Sequence, residues 1–278
     1  VLESMKFLTS VNLGNEVKIG KRVGIIGGGN AAVDSARVAN RLPGCEKVTI
    51  IYRRTKTEMP AFEEEMESAL EEGIDIRFLT APVKVLRDNG KLTGIECIRM
   101  ELGEPDESGR RRPVPIPGSE FKIELDTLLS AIGEQPDTSF LSQDCGVDIS
   151  KSGTIMVDPE IFVTHKEGVF SGGDVVTGAN TVVEAMAAGK FASESIDKYL
   201  RGLSLTRIYE VTKPSLLVDP LELSEEELTS LKRPDMPTLP KAERYKSFKE
   251  VDLGLDEKMA MKEARRCLRC ELEPEEID

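Results

Sequence analysis

The chain has 278 residues, of which 39% are hydrophobic and 31% are charged, and its formal net charge is -13. This length is enough for one large domain or two ordinary ones, each with its own hydrophobic core. The acidic balance excludes nucleic acid as the main partner, because phosphate contacts need clustered Lys and Arg. No apolar run approaches the roughly 20 residues of a membrane span, so we expect no membrane-spanning segment.

Residues 19–118 form a first block in which strand-like and helix-like patterns alternate. We predict three strands, at 21–27, 47–54 and 74–79, separated by helices at 31–42 and 59–73. The second helix is expected to end at Gly73 and to bury four apolar side chains, those of Phe62, Met66, Ala69 and Leu70. This order implies a Rossmann-like α/β domain, with a parallel sheet covered by helices.

An added β-meander is predicted at the end of this block. Residues 83–88 and 92–101 read as strands, and the dipeptide Asn89-Gly90 between them favours a tight hairpin turn. The polar stretch 103–113 is expected to be a surface loop between further strands.

The remaining sequence divides into a second block, 119–202, and a tail, 203–278. The second block contains a short apolar strand pattern at 168–174 and a helical pattern at 181–200. The tail is rich in Pro and in charged residues. One of its two helical patterns opens with a capping box formed by Ser224 and Glu227.

Three glycines follow the first predicted strand and directly precede a helix. Gly27 can take the backbone angles of a tight turn, and Gly29 has no side chain to keep a pyrophosphate from the backbone. The small Ala32 lets the helix and the strand pack closely, and the N–H groups of the helix start face the phosphates. The pattern therefore predicts a dinucleotide-binding turn; the alternative is a glycine turn with no ligand.

The end of the second strand indicates which nucleotide is bound. NAD-binding proteins place Asp or Glu there, whereas this chain has Arg53 and Arg54, with Lys56 just beyond. Guanidinium groups bind a 2′-phosphate that a carboxylate would repel. This favours NADP over NAD, which stays possible; the alternative is a pair of solvated charges at a strand end.

The second block carries a different signal. Its apolar strand ends in two glycines and Asp174, whose carboxylate could accept a hydrogen bond from a sugar or ribityl hydroxyl. The helix that starts near Thr181 would direct its N–H groups at an electron-rich ring edge, such as that of a reduced flavin. The alternative is ordinary packing of a strand, a loop and a helix.

Five cysteines and no recognisable export signal predict reduced thiols and a cytoplasmic location. Cys267 and Cys270 form a C-x-x-C at the end of a helical pattern. Two thiolates are too few for a [4Fe–4S] cluster or a structural zinc ion without further ligands, so the alternative is a pair of helix-end cysteines. The single histidine, His165, is interpreted as a surface or packing residue.

Together, these motifs resemble the NADPH-dependent flavoproteins related to the small (beta) subunit of bacterial glutamate synthase. The group includes the reductase half of dihydropyrimidine dehydrogenase and the large subunit of NADH-dependent ferredoxin:NADP oxidoreductase. The stretches that carry the resemblance run in order across residues 1–202, and they are IGGGNAAVDSAR, VTIIYRRTKTEMPA, EEGIDI, SGRRRPVPIPGSE, SAIGEQPD and GVFSGGDVVTGANTVVEAMAAGKFASESID.

In that family an NADP domain is inserted into an FAD domain. The resemblance implies an NADP site formed by the glycine turn, the paired arginines and a strand end, namely Gly27, Gly28, Gly29, Asn30, Ala31, Arg53, Arg54 and Gly133. It implies FAD contacts from a Gly-Asp pair and a helix start, namely Gly173, Asp174, Thr181 and Val182. Relatives carry similar RCLxC stretches where iron–sulfur clusters are bound, which makes Cys267 and Cys270 candidate ligands of a [4Fe–4S] cluster.

The resemblance further implies an NAD(P)H-dependent FAD oxidoreductase. A hydride would pass from NADPH to FAD, and electrons would pass onward to iron–sulfur clusters or to a ferredoxin-like partner domain or subunit. The alternative is a nucleotide-binding module without turnover of its own, within a larger multi-subunit redox complex.

The family has an earlier glycine turn for FAD that this sequence does not show. The chain is therefore expected to be a C-terminal portion that lacks the first FAD-binding half. Its parts would be a linker from the FAD domain, the NADP domain, the C-terminal part of the FAD domain and a charged tail, at 1–18, 19–118, 119–202 and 203–278. NADP binding is expected to survive, whereas FAD binding by this chain alone is left open.

Overall fold

The computed structural model describes residues 1–105, 109–142, 144–207, 224–244 and 247–266. The chain divides into two compact units, the first formed by Val1–Ile132 with Leu217–Asp278 and the second by Gly133–Leu216. The division falls after Ile132, because the strands that follow residue 118 pair with strands of the first unit.

The first unit contains all nine strands of the described residues. They are β1 (Leu2–Glu3), β2 (Arg22–Ile26), β3 (Lys47–Ile51), β4 (Asp75–Arg77), β5 (Thr80–Asp88), β6 (Lys91–Pro105), β7 (Arg111–Pro115), β8 (Phe121–Ile123) and β9 (Thr127–Ser130). The helices of the described residues are α1 (Ser4–Asn12), α2 (Asn30–Arg41), α3 (Glu63–Glu71), α4 (Asp174–Thr177), α5 (Val182–Leu200), α6 (Glu225–Ser230), α7 (Lys241–Arg244) and α8 (Glu257–Ala264).

Five strands form a parallel sheet in the order β1-β9-β2-β3-β4. Val23 and Ile25 of β2 and Val48 and Ile50 of β3 face α2 and α3 and belong to the main hydrophobic cluster. These strands read as continuous apolar runs because both faces of the sheet are covered. The α/β fold with a parallel sheet, predicted from the sequence, is confirmed.

The remaining strands form the predicted antiparallel meander. β5 and β6 make a hairpin in which Asn89 and Gly90 both have positive φ, 47° and 78°, as a two-residue turn of this type requires. β7 and β8 each pair with β6. The expectation of a loop at 103–113 is wrong in extent, because Leu102 pairs with Pro113 and Pro105 with Arg111.

Helix α3 is shorter than the sequence predicted. It begins at Glu63 because Phe62 is extended, with ψ 139°, and it ends before Gly73, which has φ 83° as expected for a helix stop. Met66 and Ala69 are buried as predicted. Phe62 and Leu70 are 57% and 47% exposed, so their predicted burial is wrong.

A buried ionic cluster joins α2 to α3. Glu72 Oε1 accepts hydrogen bonds from Arg37 Nη2 at 3.0 Å and from Arg41 Nη2 at 2.8 Å, and Arg37 also pairs with Glu65. The side chains of Arg41 and Glu72 are almost fully buried. Because buried charges are tolerated only when they are paired, this cluster fixes how the two helices pack.

The second unit has helices α4 and α5 and only isolated β-bridges among its described residues. The strand predicted at 168–174 is wrong, because Phe170 forms a single bridge with Val163. The helix predicted at 181–200 is confirmed as α5.

Part of the tail packs on the first unit. Thr238 and Asp252 form an antiparallel bridge, and the buried Arg244 donates from Nη2 to Thr238 Oγ1 at 2.7 Å. Arg244 Nη1 lies 3.3 Å from Glu71 Oε2 at the end of α3, which anchors this segment. Across the described residues, no helix combines the length and the apolar character that crossing a membrane requires.

Candidate functional site

The glycine turn lies between the end of β2 and the start of α2. Gly27 has φ 146°, and a Cβ built on it would lie 2.3 Å from the carbonyl oxygen of Ala131. A Cβ on Gly28 would lie 2.4 Å from the ring of Tyr52, whereas one on Gly29 would have nothing within 4 Å. The first two glycines are thus required by contacts within the protein, and the third leaves open space beside the backbone.

Helix α2 starts without a side-chain cap. Its N-cap is Gly29, whose carbonyl accepts hydrogen bonds from Ala32 N at 2.9 Å and Val33 N at 3.3 Å. The N–H groups of Asn30 and Ala31 belong to the first turn, where a helix has no carbonyl partner to offer. The positive end of the helix dipole lies at the same place, so this turn suits an anionic group such as a diphosphate.

A short segment, residues 55–62, is joined to this turn by hydrogen bonds that the sequence did not predict. Tyr52 Oη donates to the carbonyl of Glu58 at 2.7 Å, which holds the middle of the segment. Its end is held by two bonds, from Ala61 N to Gly28 O at 3.1 Å and from Phe62 N to Asn30 Oδ1 at 2.9 Å. Asn30, predicted as a nucleotide contact, therefore also uses its side chain to position this segment.

The two predicted arginines have different surroundings. Arg53 is exposed, and its side chain makes no hydrogen bond or ion pair within the described part of the chain. Arg54 is 6% exposed, and its Nε donates to the carbonyl of Arg111 in β7 at 2.8 Å. Lys56 forms an ion pair with Glu63, with its Nζ 2.9 Å from Glu63 Oε1.

Two titratable groups at this strand end have shifted pKa values. Burial raises the pKa of Tyr52, and the charges of Arg54 and Arg110 oppose that effect. Hydrogen bonds from Thr55 lower the pKa of Glu58, whose carboxylate closes a capping box with Thr55. The Glu58 carboxylate is thus held as an anion by its own turn.

In the second unit, a cleft of about 350 Å³ contains one of the predicted flavin residues. Its lining residues are Glu134, Gln135, Pro136, Asp137, Asp174, Val175 and Ala179. Gly173 caps α4 with φ 76°, and Gly133, at the start of the unit, has φ 120° and nothing within 4 Å of a built Cβ. Three carboxylates in one cleft suit the hydroxyl groups of a ligand and disfavour a phosphate.

Thr181 and Val182 do not line that cleft. Thr181 caps α5, since its Oγ1 accepts from Glu184 N at 3.3 Å and the Glu184 carboxylate accepts from Thr181 in return. Val182 is exposed. The N–H groups of Val182 and Val183 lie in the first turn of a helix of 19 residues, so they could face an electron-rich group.

The predicted metal ligands Cys267 and Cys270 lie outside the described residues. Within the described ranges, no group of three or more His, Cys, Asp or Glu side chains could hold a metal ion. Cys45, Cys97 and Cys145 are free thiols. His165 is exposed and pairs with Asp148, with 2.6 Å between Nδ1 and Oδ2.

A parallel sheet with a glycine turn ahead of an uncapped helix is the Rossmann-like fold. Residues 1–189 match the family described as "Pyridine nucleotide-disulphide oxidoreductase", and the chain belongs to that family. The resemblance to the small subunit of glutamate synthase is also confirmed. Over 184 residues the chain is 39% identical to the "Glutamate synthase [NADPH] small chain" of Halomonas elongata. The aligned region covers 65% of this chain and 39% of that protein.

Two other relatives match almost the whole chain. The "NADP(+)-dependent formate dehydrogenase subunit beta" of Moorella thermoacetica is 43% identical over 274 residues, covering 97% of this chain and 38% of its own length. The "NADPH-Fe(3+) oxidoreductase subunit beta" of Geobacter sulfurreducens is 39% identical over 302 residues, covering 95% of this chain and 43% of its own length. The chain thus spans about two fifths of the length of these curated relatives.

Solved structures show the same fold. The thioredoxin reductase of T. acidophilum matches with a TM-score of 0.54 and 26% identity, over 71% of this chain and 56% of that one. FprA of Mycobacterium tuberculosis in complex with NADPH matches with a TM-score of 0.53 and 17% identity, over 72% of this chain and 58% of that one.

Proposed function

We propose that this chain forms the nucleotide-binding part of an NADPH-dependent flavin oxidoreductase. The glycine turn carries the proposal, because the space beside Gly29 is open and helix α2 starts without a side-chain cap. A diphosphate supplies the negative charge that such a helix start stabilises. The names of three relatives include NADP or NADPH, which supports the same nucleotide.

In this proposal the chain's own residues bind and orient the nucleotide. Gly29 lets the diphosphate approach the backbone, and the N–H groups of Asn30 and Ala31 donate to its oxygens. Arg53 pairs with the 2′-phosphate, which favours NADP over NAD. Hydride transfer needs no acid–base pair in the protein, because positioning is the protein's task and the bound cofactors supply the chemistry.

The second unit would contribute part of a flavin site. Asp174 fits a hydroxyl group of a ribityl chain, and the start of α5 at Thr181 and Val182 fits an electron-rich ring edge. We propose these residues, with Gly173, as the contribution of this chain to the flavin site, and Gly133 stays a proposed contact of the NADP nucleotide. When bound, FAD would accept the hydride from NADPH and release electrons singly.

Electrons would then pass to iron–sulfur clusters in a partner domain or subunit, with Cys267 and Cys270 as candidate ligands of a [4Fe–4S] cluster. A cytoplasmic location belongs to the same proposal, supported by the three free thiols among the described residues.

The test is a visible absorption spectrum of the anaerobically purified chain, recorded with FAD supplied and the excess removed, before and after addition of NADPH. A flavin band that NADPH bleaches would support the oxidoreductase. Calorimetric titration with NADP⁺ would be done in parallel. Binding of NADP⁺ without a flavin band would support the alternative, a nucleotide-binding module without turnover of its own. No binding of NADPH or NADP⁺ at about millimolar concentration would overturn both.

A further inference from the structure

The adjacent arginines at the end of β3 differ in what each side chain can reach. Both follow β3, which ends at Ile51, and they lie in a bend of the chain where only one of the two side chains is buried. Arg54 is the inward one, at 6% exposure, and Arg53 is exposed. A phosphate in solution can therefore approach the guanidinium of Arg53 without disturbing the fold.

The inward arginine connects two parts of the first unit. Its Nε donates to the carbonyl of Arg111, the first residue of β7, over 57 residues of sequence. The backbone around it is held from the other side, because Leu79 N donates to Arg54 O at 3.0 Å and Thr80 N to Tyr52 O at 3.0 Å. The end of β3 is thus fixed between the start of the meander at β5 and the start of β7.

We propose that the two arginines have separate roles: Arg53 binds the 2′-phosphate of the nucleotide, and Arg54 is a positioning residue that ties the end of β3 to β7. The inference rests on the proposed function and departs from the family resemblance, which assigns both arginines to the nucleotide. It also gives the meander a role, because β7 supports the backbone that carries Arg53.

Energetics favour this division. Arg54 is desolvated, and a buried guanidinium that leaves its hydrogen-bond partner to reach a ligand exposes an unsatisfied carbonyl. Arg53 has no such partner to give up within the described residues. Its guanidinium can form the two parallel hydrogen bonds that phosphate accepts from arginine.

The same substitution at the two neighbouring positions tests the proposal. Gln removes the positive charge but keeps a side-chain N–H donor, so Arg53→Gln and Arg54→Gln would be prepared in the full chain. The affinities for NADP⁺ and NAD⁺ would be measured by calorimetric titration and the unfolding midpoint by circular dichroism. The ratio of the two affinities measures how strongly the chain prefers the nucleotide that carries the 2′-phosphate. A general loss of folded protein lowers both affinities and leaves this ratio unchanged.

We expect Arg53→Gln to lower the NADP⁺/NAD⁺ affinity ratio about ten- to hundredfold without lowering the unfolding midpoint. Arg54→Gln should lower the midpoint and keep the ratio within about threefold of the unaltered chain. An equal loss of the ratio in both variants would overturn the proposal.

The Arg53→Gln chain also tests the proposal alone, should Arg54→Gln fail to fold. It retains Arg54, so an NADP⁺/NAD⁺ affinity ratio that falls by less than about threefold would show that Arg53 does not bind the 2′-phosphate and would overturn the proposal. Failure of the unaltered chain to bind either nucleotide would instead defeat the proposed function itself.

Discussion

The ring of Tyr52 occupies the space that a side chain at Gly28 would need. A Cβ built on Gly28 would lie 2.4 Å from Cε2 and 2.5 Å from Cδ2 of that ring. Tyr52 is buried, and its hydroxyl is held by the carbonyl of Glu58. The ring therefore has little freedom to move aside, and the middle glycine of the turn is required by packing within the protein.

From this contact we expect Gly28→Ala to reduce the free energy of unfolding by about 1–3 kcal/mol, the usual cost of overpacking. Urea denaturation would measure the change. In a Tyr52→Leu background the same alanine should cost at least about 1 kcal/mol less, because the obstacle is smaller. An unchanged cost would mean that the ring is not what excludes a side chain.

The neighbouring Gly29 should respond in the opposite way. It has φ -88°, which alanine adopts readily, and nothing within 4 Å of a built Cβ. Gly29→Ala should change the free energy of unfolding by less than about 0.5 kcal/mol. Its affinity for NADP⁺ should fall about tenfold or more, because the methyl group takes the space of the diphosphate.

Gly189→Ala is the matched control, since a Cβ there also meets nothing within 4 Å. Calorimetric titration should find that this control binds NADP⁺ like the unaltered chain. Equal affinities for Gly29→Ala and the control would place the diphosphate elsewhere.

The ionic cluster between α2 and α3 gives a third prediction. Glu72, whose side chain is 5% exposed, is the carboxylate shared by Arg37 and Arg41. Glu72→Ala should cost about 3–5 kcal/mol of unfolding free energy, because it leaves buried charge unpaired. Glu65→Ala also removes a partner of Arg37 but at a more exposed position, and should cost under about 1 kcal/mol. Similar urea midpoints for the two variants would contradict the assignment of Glu72 as the central partner.

The elements that the sequence predicted are those specified by local signals. Asn89 and Gly90 specify their own turn, and the glycine turn follows directly from the residues between β2 and α2. The segment 55–62 could not be predicted in the same way. Its position depends on hydrogen bonds from Ala61 and Phe62 to residues more than 30 positions earlier, and these bonds keep Phe62 out of the helix.

The paired arginines of the candidate site also could not be told apart from the sequence. Both arginines follow the end of β3 at a bend of the chain, where strand alternation does not apply and the sequence does not say which of the two is buried. The choice depends on the carbonyl of Arg111, which reaches Arg54 only because β7 pairs with β6 and so comes to lie beside the end of β3. The role of each predicted site residue stays a prediction until nucleotide binding is measured.

Cys97 lies between the parallel sheet and the meander, in a small hydrophobic cluster with Ile95 and Leu125. It is fully buried, and burial raises the pKa of its thiol to about 11. An unfolded cysteine ionises near pH 8.5, so the thiol of the folded chain stays neutral where that of the unfolded chain is already charged. The stability that this burial contributes is complete below about pH 8.5 and is lost as the pH rises towards 11.

We therefore expect the free energy of unfolding to fall with pH between about 8.5 and 11, with Cys97 contributing up to about 1.4 kcal/mol per pH unit. Urea denaturation across this range would measure the slope. Cys97→Ala should flatten it, although the cavity lowers the stability at every pH. Ile95→Ala is the control, because it opens a cavity in the same cluster without removing a titratable group, and it should keep the slope of the unaltered chain. A slope that Cys97→Ala leaves unchanged would show that other groups cause the alkaline loss of stability.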